Sequence, residues 1–502
     1  MTTTRITVDP AFVVGPVRRR TFGSFVEHLG RCVYTGIYEP GHESADEQGF
    51  RQDVLELVRE LGVSTIRYPG GNFVSGFRWE DSVGPVEQRP RRLDLAWHST
   101  EPNTFGLDEF MSWCGKADVE PMMAINLGTR GLEEALDILE YCNVPSGTKL
   151  SEERISNGAV EPHRIRMWCL GNEMDGPWQV GHKSAEEYGR EAAKVARAMR
   201  MVDSNLELVA CGSSNSEMPT FGEWERVVLS EAYDEVDLIS AHVYYFEENG
   251  DLGSFLASAV NMDNFIDGVV ATADSVRTAQ KKDKRINISF DEWNVWYQKR
   301  VESKVPEGDD WPVAPRLLED LYNVADAVVV GNLLISLLRH TDRVHAASLA
   351  QLVNVIAPIM TEPGGPAWKQ TTFHPFALTS RYARGNVLTI PVQTGSYHTE
   401  KYGEVPLVDA VATHDEEAGE VALFLVNRSI AESAPVEVDL KAAGVTSVLE
   451  AVELSNPDDH EWHATQEDST SVAPKELTGV ELADGHLSAA LPPMSWAMIR
   501  LG

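Results

Sequence analysis

Four acids stand where apolar runs break off into polar loops: Glu27, Glu173, Asp291 and Glu292. Around them, at similar breaks, lie His28, Arg67, Asn72, Asn126, Asn172, His242, Tyr244 and Gln351. Carboxylates, amides, aromatics and one arginine form a set suited to a neutral, hydroxyl-rich ligand. Thiols and histidines are too sparse here for a metal centre, and no glycine-rich phosphate cradle follows a strand, so neither metal nor cofactor is expected. Two carboxylates flanking a glycosidic bond are what its hydrolysis needs, one to protonate the departing oxygen and one to attack the anomeric carbon or activate water. The residue types alone leave open which two of the four acids take those roles.

Such residues must be brought together by a scaffold. Eight strand-like runs lie near Phe22–Leu29, Ser64–Tyr68, Pro121–Asn126, Arg166–Leu170, Leu208–Gly212, Leu238–His242, Ile286–Asp291 and Ala346–Leu352. Several are continuously apolar, as parallel strands buried on both faces are. Between them, spacings of three and four predict helices over 51–61, 106–117, 131–141, 184–203, 222–232, 254–280 and 317–340. The first carries Val54, Leu57, Val58 and Leu61 on one stripe; that over 184–203 opens on a capping box, Ser184 and Glu187. This alternation predicts an α/β (β/α)8 barrel, with a doubly wound open sheet as the competing fold. Active sites of such barrels gather where strands end, which is where these side chains fall.

After about Gly385 the pattern changes to closely spaced strand-like runs, predicting an all-β sandwich. The expected division is an N-terminal strand segment over 1–16 that joins the sandwich, a catalytic barrel over 17–384 and the sandwich over 385–502. The polar stretch Asn456–Glu476 reads as a long loop. No linker separates barrel from sandwich, which favours a packing role for the sandwich over a tethered sugar-binding module.

Acidic residues outnumber basic ones 77 to 43, a formal charge of −34. Such a surface repels nucleic acid and anionic membranes and is compatible with an uncharged substrate. Five cysteines without a C-x-x-C spacing argue against a disulfide framework and fit a reducing compartment. Met1–Pro16 has no basic patch followed by an apolar stretch, and Ala325–Leu338 is too short and too polar to cross a bilayer, so a cytoplasmic protein is expected.

Leu170-Gly171-Asn172-Glu173 after the fourth strand and Phe290-Asp291-Glu292-Trp293-Asn294 after the seventh resemble the layout of the clan A glycoside hydrolases. With Thr65-Ile66-Arg67-Tyr68-Pro69-Gly70-Gly71-Asn72-Phe73 and His242-Val243-Tyr244-Tyr245, the chain is similar to glycoside hydrolase family 51, the α-L-arabinofuranosidases, over essentially its whole length, the sandwich (jelly-roll-like) included. The resemblance implies a retaining hydrolase, with Glu173 as acid/base and Glu292 as nucleophile. It further implies that Asn172 holds the sugar 2-hydroxyl and that Glu27, Arg67, Asn72, Tyr244 and Gln351 bind the furanose or orient the two acids. His242 would sit near the nucleophile, and Trp97 would form a hydrophobic wall. The implied substrates are arabinan- or arabinoxylan-derived oligosaccharides bearing terminal arabinofuranosyl units, and the implied assembly is a homo-oligomer such as a hexamer. Retention requires the carboxyl groups to lie roughly 5–5.5 Å apart.

Plainer roles compete at several positions. Arg67 could serve as an ion-pair partner, His242 as a hydrogen-bonded core histidine, Gly70-Gly71 as a tight turn and Trp97 as packing. Of Tyr244 and Tyr245, which point apart, Tyr244 is expected to bind and Tyr245 to pack. Trp293, Trp296 and Trp311 could line the leaving-group side or anchor loops. Lys299–Pro315 is long enough for a lid. The same machinery could serve a β-xylosidase or an endo-β-glucanase, and a silent sugar-binding protein is the reading outside catalysis.

Overall fold

The computed structural model describes residues 3–297 and 305–502. Eight parallel strands close into a barrel in chain order: Gly23–Phe25, Thr65–Tyr68, Glu120–Ala124, Met167–Leu170, Glu207–Ala210, Leu238–Tyr245, Asn287–Val295 and Val344–Leu349. The eighth returns to the first through Ser348 opposite Gly23 and Leu349 opposite Ser24. A closed barrel leaves no edge strand, and this settles the choice against an open doubly wound sheet. Met122, Ala124, Met167, Cys169, Val209, Leu238 and Ala346 fill its interior below the site, with Val74 from the loop after the second strand.

The helices depart from the sequence expectation in four places, one of them the unexpected short helix Lys149–Ser156. The helix expected over 317–340 spans Val324–Arg339, because Asn323 caps it reciprocally with Asp326 and so sets its first turn. That expected over 254–280 is divided into Leu252–Leu256 and Ser258–Gln280. The helix after the eighth strand, Phe373–Tyr382, was not anticipated; Pro375 near its start and two adjacent threonines before it mask the pattern.

The sixth and seventh strands also run beyond their expected ends, to Tyr245 and Val295. A register shift between Ser240 and His242 brings His242 opposite Glu292, Val243 opposite Trp293 and Tyr244 opposite Asn294. Irregularities of this kind re-aim side chains at barrel rims.

Residues after the last barrel helix build two large sheets and a separate two-stranded hairpin, and the N-terminal segment joins both large sheets. Thr4–Thr7 lies parallel to Ala434–Asp439 and antiparallel to Val392–Gln393, while Val13–Pro16 pairs with Asn386–Leu388. Period-two alternation divides the long strand Glu420–Asn427 between two cores. Val421, Leu423 and Leu425 enter the sandwich interior, whereas Ala422, Phe424 and Val426 continue the barrel core. The partner of that second face is the helix Val324–Arg339, which is buried from Val324 to Leu338 because barrel and sandwich cover it from both sides. Gly331 permits that approach, since a Cβ there would sit 2.2 Å from the Trp496 ring.

A buried polar network ties the two domains together. Asn332 Nδ2 donates to Asp409 Oδ2 at 2.8 Å, and Arg428 donates to the same carboxylate at 2.9 Å and to Asn332 Oδ1 at 2.7 Å. Arg339 also donates to Asp409. Burial works to raise the Asp409 carboxyl, but Arg339, Arg428 and Asn332 outweigh it and hold it below its ordinary value. The stability so gained is present above the unfolded carboxylate range and is lost as pH falls through the lowered folded value. Asp409→Ala leaves the buried Arg428 guanidinium without its carboxylate, while Arg339 keeps Asp263 at 2.7 Å, and is expected to cost about 3–5 kcal/mol. Urea midpoints of variant and parent, compared at neutral pH, check this; a loss below about 1 kcal/mol contradicts it.

Candidate active site

At the C-terminal mouth of the barrel lies a cavity of about 600 Å³, to which Glu27, Asn72, Trp97, Glu173, Tyr244, Glu292 and Gln351 all contribute. Local backbone geometry aims these side chains. Glu173, three residues beyond the end of the strand Met167–Leu170, takes a positive φ of 43°, a left-handed conformation uncommon outside glycine and concentrated at functional sites. Gly70, with φ 141°, leaves room for Glu27: a Cβ at this position would lie 2.3 Å from Glu27 Cγ. The Gly70-Gly71 turn therefore also clears space in the site, because a Cβ on Gly71 would come within 3.1 Å of Glu292 Oε1.

The two glutamates singled out by the sequence converge. A carboxylate oxygen of Glu173, one of Glu292 and a ring nitrogen of His242 all lie within 4.8 Å of one another. Their surroundings differ. Glu292 Oε1 accepts from Arg67 Nη1 at 2.8 Å and Oε2 from the Tyr244 hydroxyl at 2.7 Å. Burial acts to raise the Glu292 carboxyl, yet His242, Arg67 and Tyr244 together hold it below the usual carboxylate range. Glu292 is thus kept ionised. Glu173 Oε2 accepts from the Trp178 indole N–H at 2.6 Å, and Oε1 lies 2.9 Å from His242 Nδ1. His242 is itself buried, which disfavours its cation, but Glu292 and Glu173 more than offset this and raise its pKa above the ordinary value.

Glu27 has a third character. Burial pushes its pKa up to about 8, so at neutral pH it is mostly protonated. Its Oε1 accepts from the Phe73 backbone N–H at 2.9 Å and from Trp97 Nε1 at 3.0 Å, and its Oε2 from Gln351 Nε2 at 3.0 Å. Asp291, the fourth acid, points into the barrel interior, where Ser289 donates to it and Cys169 Sγ lies 3.7 Å away. It does not line the cavity.

Arg67 links the strand ends. Besides Glu292 it donates to Asn172 Oδ1 at 2.6 Å, and its guanidinium carbon sits 4.9 Å from the centroid of the Phe25 ring. Asn172 Nδ2 in turn reaches Asn72 Oδ1 at 3.3 Å. The ion-pair reading of Arg67 and its place in the site are therefore one and the same. Tyr244 touches Glu292, while the Tyr245 hydroxyl donates to Asn261 Oδ1 at 2.9 Å.

Other positions prove structural. His28 lies between Glu101 and the Tyr68 hydroxyl, at 2.8 Å from each, under the rim. Asn126 holds its own loop through Phe77 O and Thr129 Oγ1, both at 2.9 Å. Among the tryptophans, Trp296 lines the cavity and Trp293 is buried in the core. Trp311 stacks on His98 with centroids 3.6 Å apart. Of the lid candidate Lys299–Pro315, residues 299–304 lie outside the described residues. Farther along it, Pro312 O accepts from Thr100 N at 2.9 Å, tying this segment to the loop that carries Trp97.

Sequence reasoning missed Trp178, which donates to Glu173 from five residues along the same loop, and Gln179, whose Oε1 lies 3.4 Å from Asn172 Nδ2. A tryptophan five residues after Glu173 was the available signal. It also missed Lys401 and Tyr402, which reach the cavity from the sandwich and have no local signal at all.

One consequence can be tested on a single hydroxyl. Tyr244→Phe removes a hydrogen bond that favours the Glu292 carboxylate, so the Glu292 pKa rises and the acid limb of kcat/KM moves to higher pH. A profile displaced downward or left in place would contradict this arrangement.

Comparison with known proteins agrees with the geometry. The family model described as the α-L-arabinofuranosidase 1 domain matches residues 57–265, and that for the α-L-arabinofuranosidase C-terminal domain matches 291–495, across the last two barrel strands and into the sandwich. An intracellular exo-α-(1→5)-L-arabinofuranosidase of Streptomyces lividans is 60% identical over 502 residues, covering 100% of this chain and 75% of the relative. An exo-α-(1→6)-L-arabinofuranosidase of Bifidobacterium longum is 57% identical, covering 99% of this chain and 97% of the relative. The solved structure of a family 51 α-L-arabinofuranosidase from Bifidobacterium longum superimposes with a TM-score of 0.96 at 50% identity, covering 100% of both chains. These relatives favour neither the β-xylosidase, the endo-β-glucanase nor the silent-binder reading. With its barrel, its paired glutamates and relatives of this identity over its full length, the chain belongs to glycoside hydrolase family 51, the α-L-arabinofuranosidases.

Proposed function

We propose that this arabinofuranosidase removes non-reducing terminal α-L-arabinofuranosyl units from arabinan- and arabinoxylan-derived oligosaccharides with net retention, using Glu292 as nucleophile and Glu173 as acid/base. The observation that carries the reading is the closeness of the two carboxylates, within 4.8 Å at their nearest ligand atoms, which leaves no room for the intervening water of an inverting enzyme.

In the first step Glu292 attacks the anomeric carbon and the glycosidic bond breaks. The proton on Glu173 goes to the departing oxygen, leaving an ester between Glu292 and the sugar. Loss of the Glu292 charge then frees Glu173, now a carboxylate, to take a proton from water. That water attacks the same carbon, the ester bond breaks, and both glutamates return to their starting states.

Glu27, Asn72, Trp97, Asn172 and Gln351 hold the furanose. Gln351 Oε1 is buried without a partner among the described residues and offers an acceptor to a sugar hydroxyl, while protonated Glu27 offers a donor. Asn172, fixed by Arg67, is placed for the 2-hydroxyl next to the anomeric carbon. The S. lividans relative is named intracellular, and no helix of the described residues is long and apolar enough to cross a membrane; both support action on imported oligosaccharides in the cytoplasm.

Incubation with an α-1,5-linked arabinotriose, followed by NMR from the first seconds, tests the reading. Arabinose should appear as the α-anomer before mutarotation. First appearance of the β-anomer would overturn retention, and turnover confined to β-xylosides or β-glucans would overturn the substrate.

A further inference from the structure

The sandwich reaches the active site through one hairpin. Strands Ser396–Thr399 and Gly403–Pro406 pair antiparallel, and the turn between them carries Lys401 and Tyr402 into the cavity wall. This tip is anchored to the barrel: the Lys401 backbone N–H donates to Ser254 Oγ at 3.1 Å and the Tyr397 hydroxyl to Gly253 O at 2.9 Å. Lys401 Nζ lies 3.6 Å from Glu217 on the loop after the fifth barrel strand and 3.8 Å from Glu248 on the loop after the sixth.

Its position on the rim decides what it faces. Glu27 and Asn72 follow the first and second strands, and in a closed ring of eight the strands opposite those are the fifth and sixth. The furanose end and the hairpin are therefore across the barrel from each other, with the catalytic glutamates between. The side away from the bound furanose is where the leaving group must lie. A second cavity of about 470 Å³ shares Tyr244, Tyr245, Phe246, Glu248, Lys401 and Tyr402 with the first and extends the trough outward past the hairpin.

Resting on the functional reading above, we propose that this hairpin builds the leaving-group subsite and that Tyr402 and Lys401 recognise a neutral, hydroxyl-rich sugar there. Tyr402 supplies an aromatic face and a hydroxyl. Lys401 supplies donors, and Glu217 and Glu248 supply acceptors. With Asp251 and Glu400 also on the outer cavity, acids outnumber the one lysine, so an anionic leaving group is disfavoured. A barrel enzyme in this way takes part of its specificity from its β-sandwich.

Tyr402→Ala, Tyr402→Phe and Lys401→Ala are compared with the parent on arabinotriose and on p-nitrophenyl α-L-arabinofuranoside, whose aryl group carries no sugar hydroxyls. The ratio of kcat/KM for arabinotriose over the aryl glycoside should fall about tenfold in the alanine variants, the equivalent of one or two lost hydrogen bonds. It should fall by a smaller factor in Tyr402→Phe, which keeps the ring and hence the fold of the hairpin. A ratio that stays constant in all three variants while the parent cleaves both substrates overturns the inference alone. A parent that cleaves neither overturns the functional reading and the inference with it.

Discussion

Glu292→Ala lowers kcat on p-nitrophenyl α-L-arabinofuranoside by a factor on the order of 10⁴–10⁶, the range seen when a covalent nucleophile is removed. No neighbour can substitute. Glu27 is mostly protonated at neutral pH and accepts from Phe73, Trp97 and Gln351, while Asp291 faces the barrel interior. The variant leaves a small vacancy beside Arg67 and Tyr244, from which azide can attack the anomeric carbon. Aryl oxide then departs in a single displacement, and the product is the glycosyl azide of inverted configuration. Activity within about tenfold of the parent, or an azide product of retained configuration, would remove Glu292 from the nucleophile role.

Glu173→Ala has the second largest effect, and its size depends on the leaving group. Departure of a sugar alkoxide needs a proton, so kcat/KM on arabinotriose should fall by about 10³-fold, within the span attributed to general acid catalysis. p-Nitrophenolate leaves without one, so formation of the ester on Glu292 is slowed far less. Hydrolysis of that ester still lacks its base, and the covalent intermediate accumulates as a burst of p-nitrophenol. Azide, which needs no base, relieves the block and gives the retained glycosyl azide. The opposite stereochemistry of the two azide products separates the two glutamates with one reagent. Equal losses on both substrates, with no burst, would contradict the assignment of Glu173.

The pair differs in its surroundings more than in its chemistry. Glu292 has a guanidinium and a phenol on its two oxygens, both favouring the anion. Glu173 has only neutral or titrating partners, an indole N–H and His242. His242 stands between them, 2.9 Å from Glu173 Oε1 and 3.7 Å from Glu292 Oε2, so each carboxylate feels the other's charge through it.

Much of this was legible in the residues alone. Strand runs buried on both faces are largely apolar, so Arg166–Leu170 and Ile286–Asp291 stand out in the sequence, and the break in polarity at Asn172-Glu173 and at Glu292 marks the rim. Helix starts carrying a reciprocal cap, as at Ser184 and Glu187, were equally readable, because both partners lie within one turn. The division between acids was readable only in part. Nothing local distinguishes Asp291 from Glu292: both reach Arg67, and the register irregularity of the seventh strand at this point leaves Asp291 on Ser289 and Cys169 in the barrel interior while Glu292 lines the cavity.

The sequence by itself determined the alternation of strand and helix, the change to β-structure near Gly385 and the residue types collected at the strand ends. These follow from periodicity and local chemistry, which act over a few residues. Tertiary structure alone decided the rest. The register shift before His242 sets it opposite Glu292, and closure of the ring puts Glu27 across from the hairpin. Burial raises the Glu27 pKa, while His242 and Arg67, the latter 225 residues away from Glu292 in the chain, lower that of Glu292. Lys401 and Tyr402 enter the site from another domain. Electrostatic environment and long-range packing depend on distances in space, and spacing along the chain does not encode those distances.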